Sequence, residues 1–134
     1  MNYGNFLSFN LPEGWCAESN LNNLYLYHPN GTGALTISHI DLTNTDNCLD
    51  EQMSILAKRF VDRNKITLHA PLIFIKKAEK ALLYGTGSTS DGWFVKLWLI
   101  AKQPKIVLAT YQSNKKNKEI KICDSIVDSF QIAF

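Results

Sequence analysis

The stretch Trp93–Lys102, WFVKLWLIAK, is apolar on both of its alternating sides. Trp93, Val95, Leu97, Leu99 and Ala101 share one side, and Phe94, Trp98 and Ile100 share the other, where only Lys96 and Lys102 are polar. A strand with one wet face alternates apolar with polar, so this one belongs inside a sheet that is at least partly covered on both faces. A second aliphatic run, Lys105–Ser113, follows at once, and Gln103-Pro104 marks the turn between them. Strands joined so tightly pair antiparallel. The rest of the chain must cover this hairpin.

The other segments supply that cover. Leu72–Lys76 and Lys80–Thr86 read as strands, and Asp91-Gly92 turns the chain into Trp93. Phe6–Leu11 alternates as a half-buried strand, Pro12-Glu13-Gly14 breaks it, and Trp15 follows as a core anchor. Leu24–His28 and Ala34–Ile40 form a hairpin about Asn30-Gly31, residue types that tolerate positive φ. Between the two β regions, Leu49, Met53, Leu56, Ala57 and Phe60 recur at helical spacing. They predict a helix over about 48–63, capped by Asp46 or Asn47, with Asp50 and Glu51 favourably placed in its first turn. A second helix from about Asn117 carries Ile120, Cys123, Ile126, Val127 and Phe130 on one side. The expected fold is α+β: one domain, residues 1–134, in the order β-β-β-α-β-β-β-β-α. It is a twisted antiparallel sheet of about six or seven strands with two amphipathic helices packed on it.

Composition removes several function classes. A net charge of +2 over 134 residues is too mild to announce a nucleic-acid partner. Residues 1–64 hold three basic and seven acidic side chains, and residues 65–134 hold eleven and five. That asymmetry fits either two differently charged faces or surface drift. No run approaches the ~18 apolar residues of a membrane span, and Met1–Asn5 lacks the basic and apolar parts of a signal peptide. Cys16, Cys48 and Cys123 are an odd number at scattered positions, which suits free thiols in a reducing compartment. The expectation is a cytoplasmic protein with no membrane partner.

Phe9-Asn10-Leu11-Pro12-Glu13-Gly14-Trp15 resembles the opening motif of the PsbP-like superfamily, which includes the Ran-binding import factor Mog. The hairpin through Asn30-Gly31, the middle helix, the long hairpin with Tyr111 and the terminal Ser129-Phe130 extend that resemblance over nearly the whole chain. Within the superfamily the chain looks most like its small bacterial families of unknown function. The resemblance implies a fold and a habit of binding, mostly to proteins, and it brings no common catalytic residue set.

The residues themselves offer no reaction chemistry. His28, His39 and His69 lack a third ligand at zinc spacing, although His28 and His39 stand where a hairpin could oppose them. Gly85-Thr86-Gly87 lacks the phosphate-loop pattern and reads as a hairpin loop. Lys76, Lys77 and Lys80, like Lys115, Lys116, Lys118 and Lys121, form basic runs without the interleaved aromatics of a stacking reader. The aromatics Tyr25, Tyr27, Trp93, Trp98 and Tyr111 are either core or an exposed patch. The expectation is a non-enzymatic protein- or peptide-binding domain of a bacterial cytoplasm, with no cofactor, metal or catalytic residue. Its partner would dock on the sheet around Trp98 and Tyr111, with Tyr25 and Tyr27 nearby and Lys96 and Lys102 as a polar rim. A small-molecule or lipid binder using a sheet–helix pocket, and an enzyme with an unrecognised site, are the alternatives.

Overall fold

A computed structural model describes residues 1–41, 49–77, 80–102 and 105–133. The strands before the middle helix are β1 (Asn2–Tyr3), β2 (Leu7–Ser8), β3 (Cys16–Ser19), β4 (Leu24–Tyr27) and β5 (Gly33–Asp41). Helix α1 spans Leu49–Arg63. Then come β6 (Thr67–Leu68), β7 (Ile73–Lys77), β8 (Lys80–Ser88), β9 (Phe94–Lys102) and β10 (Lys105–Ser113), followed by α2 (Glu119–Asp128) and β11 (Gln131–Ile132). The caps expected at Asp46 or Asn47, Cys48 and the Gln103-Pro104 turn lie outside the described residues.

The main sheet has eight strands in the order β3-β4-β5-β10-β9-β8-β6, and β7 pairs with β8 beside β6. Every pairing within it is antiparallel. A second sheet, β1-β2-β11, is where the predicted strand Phe6–Leu11 ends up, with only Leu7 and Ser8 paired. The cause is a turn: Trp15 N–H bonds the Pro12 carbonyl at 3.1 Å, and Gly14 adopts φ +86°, a conformation costly for any residue with a Cβ. The chain leaves the small sheet there and buries Trp15.

The two faces of β9 belong to two separate clusters. Phe94, Trp98 and Ile100 pack with Val107, Ala109 and Tyr111 beneath Ile120, Cys123, Ile126 and Val127 of α2, and Phe6, Leu7, Phe9, Phe130 and Ile132 of the small sheet extend this cluster. Leu97, Leu99 and Ala101 pack with Ala81, Leu83 and Ile106 beneath Met53 and Ala57 of α1. The helices therefore cover opposite faces. No helix among the described residues is long and apolar enough to cross a membrane.

Two glycine readings change. Gly85 and Gly87 lie inside β8 rather than in a hairpin loop. A Cβ on Gly85 would strike Leu72, and one on Gly87 would come within 2.7 Å of Ile66, so these glycines let the chain leading to β7 lie close against the strand. Gly31 turns the first hairpin without positive φ; a Cβ there would run into the Glu119 carboxylate.

Cys16 and Cys123 are free thiols. Cys123 is buried under α2, and burial, followed by the Glu119 and Asp124 charges, pushes its thiol up to about 12. Because the thiolate is the reactive form, alkylation of the native protein at about pH 8 should label Cys16 and spare Cys123 until urea is added. Rapid native labelling of Cys123, read by peptide mapping, would show that α2 is not seated as described.

Candidate functional site

The structure puts the expected docking residues to another use. Trp98 is 3% exposed and Tyr111 is fully buried. They do share a face, since Tyr111 opposes Lys96 and Ala109 opposes Trp98 across β10 and β9, but α2 covers that face. The Trp98 indole donates to Asp124 Oδ1 at 3.2 Å. Lys96 Nζ reaches the same oxygen at 2.8 Å, with its ammonium 5.2 Å from the Trp98 ring and 5.5 Å from the Tyr84 ring. Lys96 is thus a clamp on α2 rather than the rim of an open patch. Trp98 and Tyr111 are not available to a partner, because the helix that completes the core lies on them.

Tyr111 Oη donates to Glu119 Oε1 at 2.7 Å and accepts from Asn117 Nδ2 at 3.1 Å. Glu119 in turn accepts from the backbone N–H groups of Thr32 and Gly33, at 3.3 and 3.2 Å. This network fastens the start of α2 to the first hairpin. Tyr25 and Tyr27 are half-buried on β4, and both have local partners: Tyr27 donates to Glu18 at 2.7 Å, and Tyr25 accepts from Asn20 and Asn23. Trp93, 45% exposed, stands apart in the loop before β9.

Lys102 leads somewhere more open. Across the sheet, Lys77 opposes Lys80, and Lys102 opposes Lys105. Ala81 opposes Ala101, so Lys80 and Lys102 fall next in line. Four lysines from β7, β8, β9 and β10 thus stand in one cross-strand row on the α2 face, at strand spacings of about 4.8 Å. Like charges placed directly opposite are destabilising. Lys105 is answered by Asp41 at 2.6 Å and lies 4.9 Å from the Phe6 ring. Lys80 is half-buried and donates to the Phe130 carbonyl at 3.0 Å. Burial, then the Lys77 charge, holds its ammonium below the ordinary value of 10.5; Asp128 opposes that shift and Lys102 adds to it.

Lys80 and Lys102 line a cleft of about 820 Å³ between the C-terminal end of α2 and the small sheet. Asp128 and Ser129 edge it, Ser8, Asn10 and Gln131 give it polar walls, and buried Phe9, Phe130 and Ile132 form its apolar floor. A shallower groove of about 200 Å³ shares Lys80 and Asp128 and runs outward to Ile75 and Lys77 of β7. All five residues of β7 are exposed, including Ile73, Phe74 and Ile75 at 48, 37 and 38%. Among the described residues β7 pairs only with β8. In an antiparallel pair alternate residues turn their N–H and C=O groups away from the partner, so β7 presents an edge.

Sequence reading found Lys76, Lys77 and Lys80 as a run and missed the row. A two-residue connection between β7 and β8 is the signal that aligns Lys77 with Lys80. His28 packs edge-on to Trp15 at 6.5 Å and His39 packs on Phe6 at 4.5 Å, so they do not meet. Among the described residues, no group of three His, Cys, Asp or Glu side chains could hold a metal ion.

A solved structure of a protein from Bacteroides thetaiotaomicron VPI-5482 is similar over 96% of this chain, with TM-score 0.67 and 15% identity, and the chain spans 45% of that protein. The solution structure of cyanobacterial PsbP (CyanoP) from Synechocystis sp. PCC 6803 is similar over 95% of this chain and 86% of its own, with TM-score 0.74 and 11% identity. The chain has the PsbP-like fold, and at these identities the likeness concerns the fold alone. No protein-family model and no curated protein sequence matches it.

Burial, followed by the hydrogen bond to Glu119, raises the Tyr111 phenol above 10.0. The folded state therefore holds that proton more tightly than the unfolded chain does. The resulting stability is complete below the ordinary phenol value and is lost as pH rises through the folded one. Tyr111→Phe should cost about 1 kcal/mol at neutral pH and should flatten the loss of urea stability above about pH 10. Parallel alkaline profiles for the two proteins would show that the phenol is not held in this network.

Proposed function

We propose that this chain is a binding domain rather than an enzyme, and that it takes an extended, acidic segment of a protein partner along β7. The observation that carries the reading is the edge itself: five consecutive exposed residues, three of them large and apolar, on a strand that among the described residues pairs only with β8. Such edges invite a further strand, and natural proteins normally blunt them. Strand addition supplies main-chain hydrogen bonds, while side-chain pockets select the sequence. Lys76 and Lys77 on β7 and Lys80 beside them make an acidic segment the complementary one. A thiol pushed up to about 12 at Cys123 is the reverse of what a nucleophile requires. Free Cys16 and Cys123 fit the reducing interior of a bacterial cell.

A second reading, a small-molecule binder, is favoured by the 820 Å³ cleft, which lies in the usual size range of ligand pockets.

Random displayed peptides selected on the purified chain should converge on acidic, extended sequences. Hydrogen exchange should slow over Ile73–Lys77 when they bind. Phe74→Lys, at an exposed position, should keep the fold and weaken binding by more than about 1 kcal/mol. Peptides that bind Phe74→Lys as well as wild type, or no enrichment at all, would sink the reading.

A further inference from the structure

We propose that the groove beside β7 selects the segment that docks there: a large apolar side chain opposite Ile75 packs into it, and a carboxylate two residues earlier in the same segment meets Lys77. The inference rests on the reading of β7 as a docking edge and adds which sequence that edge accepts. Ile75 opposes Leu82, and Leu82 opposes Ile100. These three side chains form one cross-strand row on the α2 face and floor the groove, and Val127 of α2 closes its far side. The row ends at β7, where Ile75 is exposed. Neighbours across strands on one face are what stabilise a sheet, so a further apolar residue is the favourable continuation of this row.

An added strand lies about 4.8 Å beyond its neighbour. A residue opposite Ile75 therefore stands beside it, and an aromatic side chain there reaches across Ile75 to the groove. The groove's volume of about 200 Å³ is below the ~300–1,000 Å³ of a pocket for a whole ligand and suits a single inserted side chain. The neighbouring row sets the charge. Lys77 opposes Lys80 two positions along the same face. Asp128 and Lys80 line the groove on its α2 side, whereas Lys77 stands at the edge and is the ammonium that a new strand meets first. Every pairing of the main sheet is antiparallel, and antiparallel pairs are slightly the more stable kind. Running that way, a segment passes Lys77 before Ile75, and its residues two apart share a face. The accepted sequence is thus an acidic residue, any residue, then a large apolar one. Ile73, opposite Tyr84 on the same face, extends the preference to a second apolar residue two positions further on.

The test adds blocked synthetic peptides of about seven residues to the whole chain, read by amide-resolved NMR titration and hydrogen exchange. The probe carries glutamate, phenylalanine and valine at its second, fourth and sixth positions, with threonine at the others. It should saturate with a Kd below about 1 mM, slow exchange over Ile73–Lys77 and move the amides of Leu82 and Val127. Replacing its phenylalanine by threonine should weaken binding roughly tenfold, and replacing its glutamate by glutamine roughly threefold. Reversing the order of the peptide should weaken it too. Two substitutions at exposed positions should then remove the preferences separately. Ile75→Thr should erase the preference for phenylalanine and keep that for glutamate, and Lys77→Gln should do the opposite. Lys76→Gln, on the other face of the strand, should keep both. The inference is overturned, with the strand reading intact, if all the peptides slow exchange over Ile73–Lys77 alike. The same holds if the preferences survive in folded Ile75→Thr and Lys77→Gln. Tighter binding of the reversed peptide would overturn the antiparallel placement. If none of the peptides slows exchange there, the strand reading fails and this inference fails with it.

Discussion

A strand with apolar side chains on both faces cannot sit at the surface of a sheet that has only one partner layer. β9 is such a strand: Phe94, Trp98 and Ile100 on one side and Leu97, Leu99 and Ala101 on the other are all buried. Full burial of each large side chain contributes about 1.5–3 kcal/mol, so leaving either face wet would forfeit a large share of a domain's usual stability. Two helices are therefore required, one on each side, and α1 and α2 supply them. The half-buried charge of Lys96 is admitted because Asp124 meets it from α2 and the Trp98 and Tyr84 rings lie near it. A half-buried charge with such partners helps to fix where the helix sits.

Much of this was legible in the residues. The period-2 pattern of the long strands, the helical spacing of Met53 and Ala57 and that of Ile120, Cys123 and Val127 all correspond to the elements found. The misreadings share a cause. β1, β3, β6 and β11 are two to four residues long, too short to show a period. Gly85 and Gly87 were read as a loop because glycine punctuates sequences, whereas here it makes room for Leu72 and Ile66. Trp98 and Tyr111 illustrate the harder problem: a central strand and an exposed aromatic patch are spelled with the same letters, and only the helix lying on them distinguishes the two. The lysine row needed register, which depends on turn geometry more than on composition.

The features that look outward gather at one end of the sheet. The β7 edge, the groove beside it and the larger cleft share Lys77, Lys80 and Asp128 between them. The opposite end is closed by the Tyr111–Glu119–Asn117 network, which ties α2 to the first hairpin. One end thus holds the fold together while the other carries a row of lysines and exposed apolar surface. Residues 65–134 supply every lysine of that second end, which gives the charge asymmetry of the chain a physical location.

The strand order also sets a schedule. β5 lies beside β10, and the contact between Asp41 and Lys105 spans 64 residues. Loop closure on that scale is a slow step, and sheets dominated by such distant pairings fold in milliseconds to seconds. On a ribosome adding about 5–20 residues per second, β5 waits about 3–13 s for its neighbour to be made. Throughout that interval Leu35 and Ile37, fully buried in the finished protein, stand on a strand with one open side. A nascent chain halted before β10 should accordingly be caught by chaperones, and one halted after α2 has left the exit tunnel should escape them. Equal capture of the two would show that β5 is sheltered some other way.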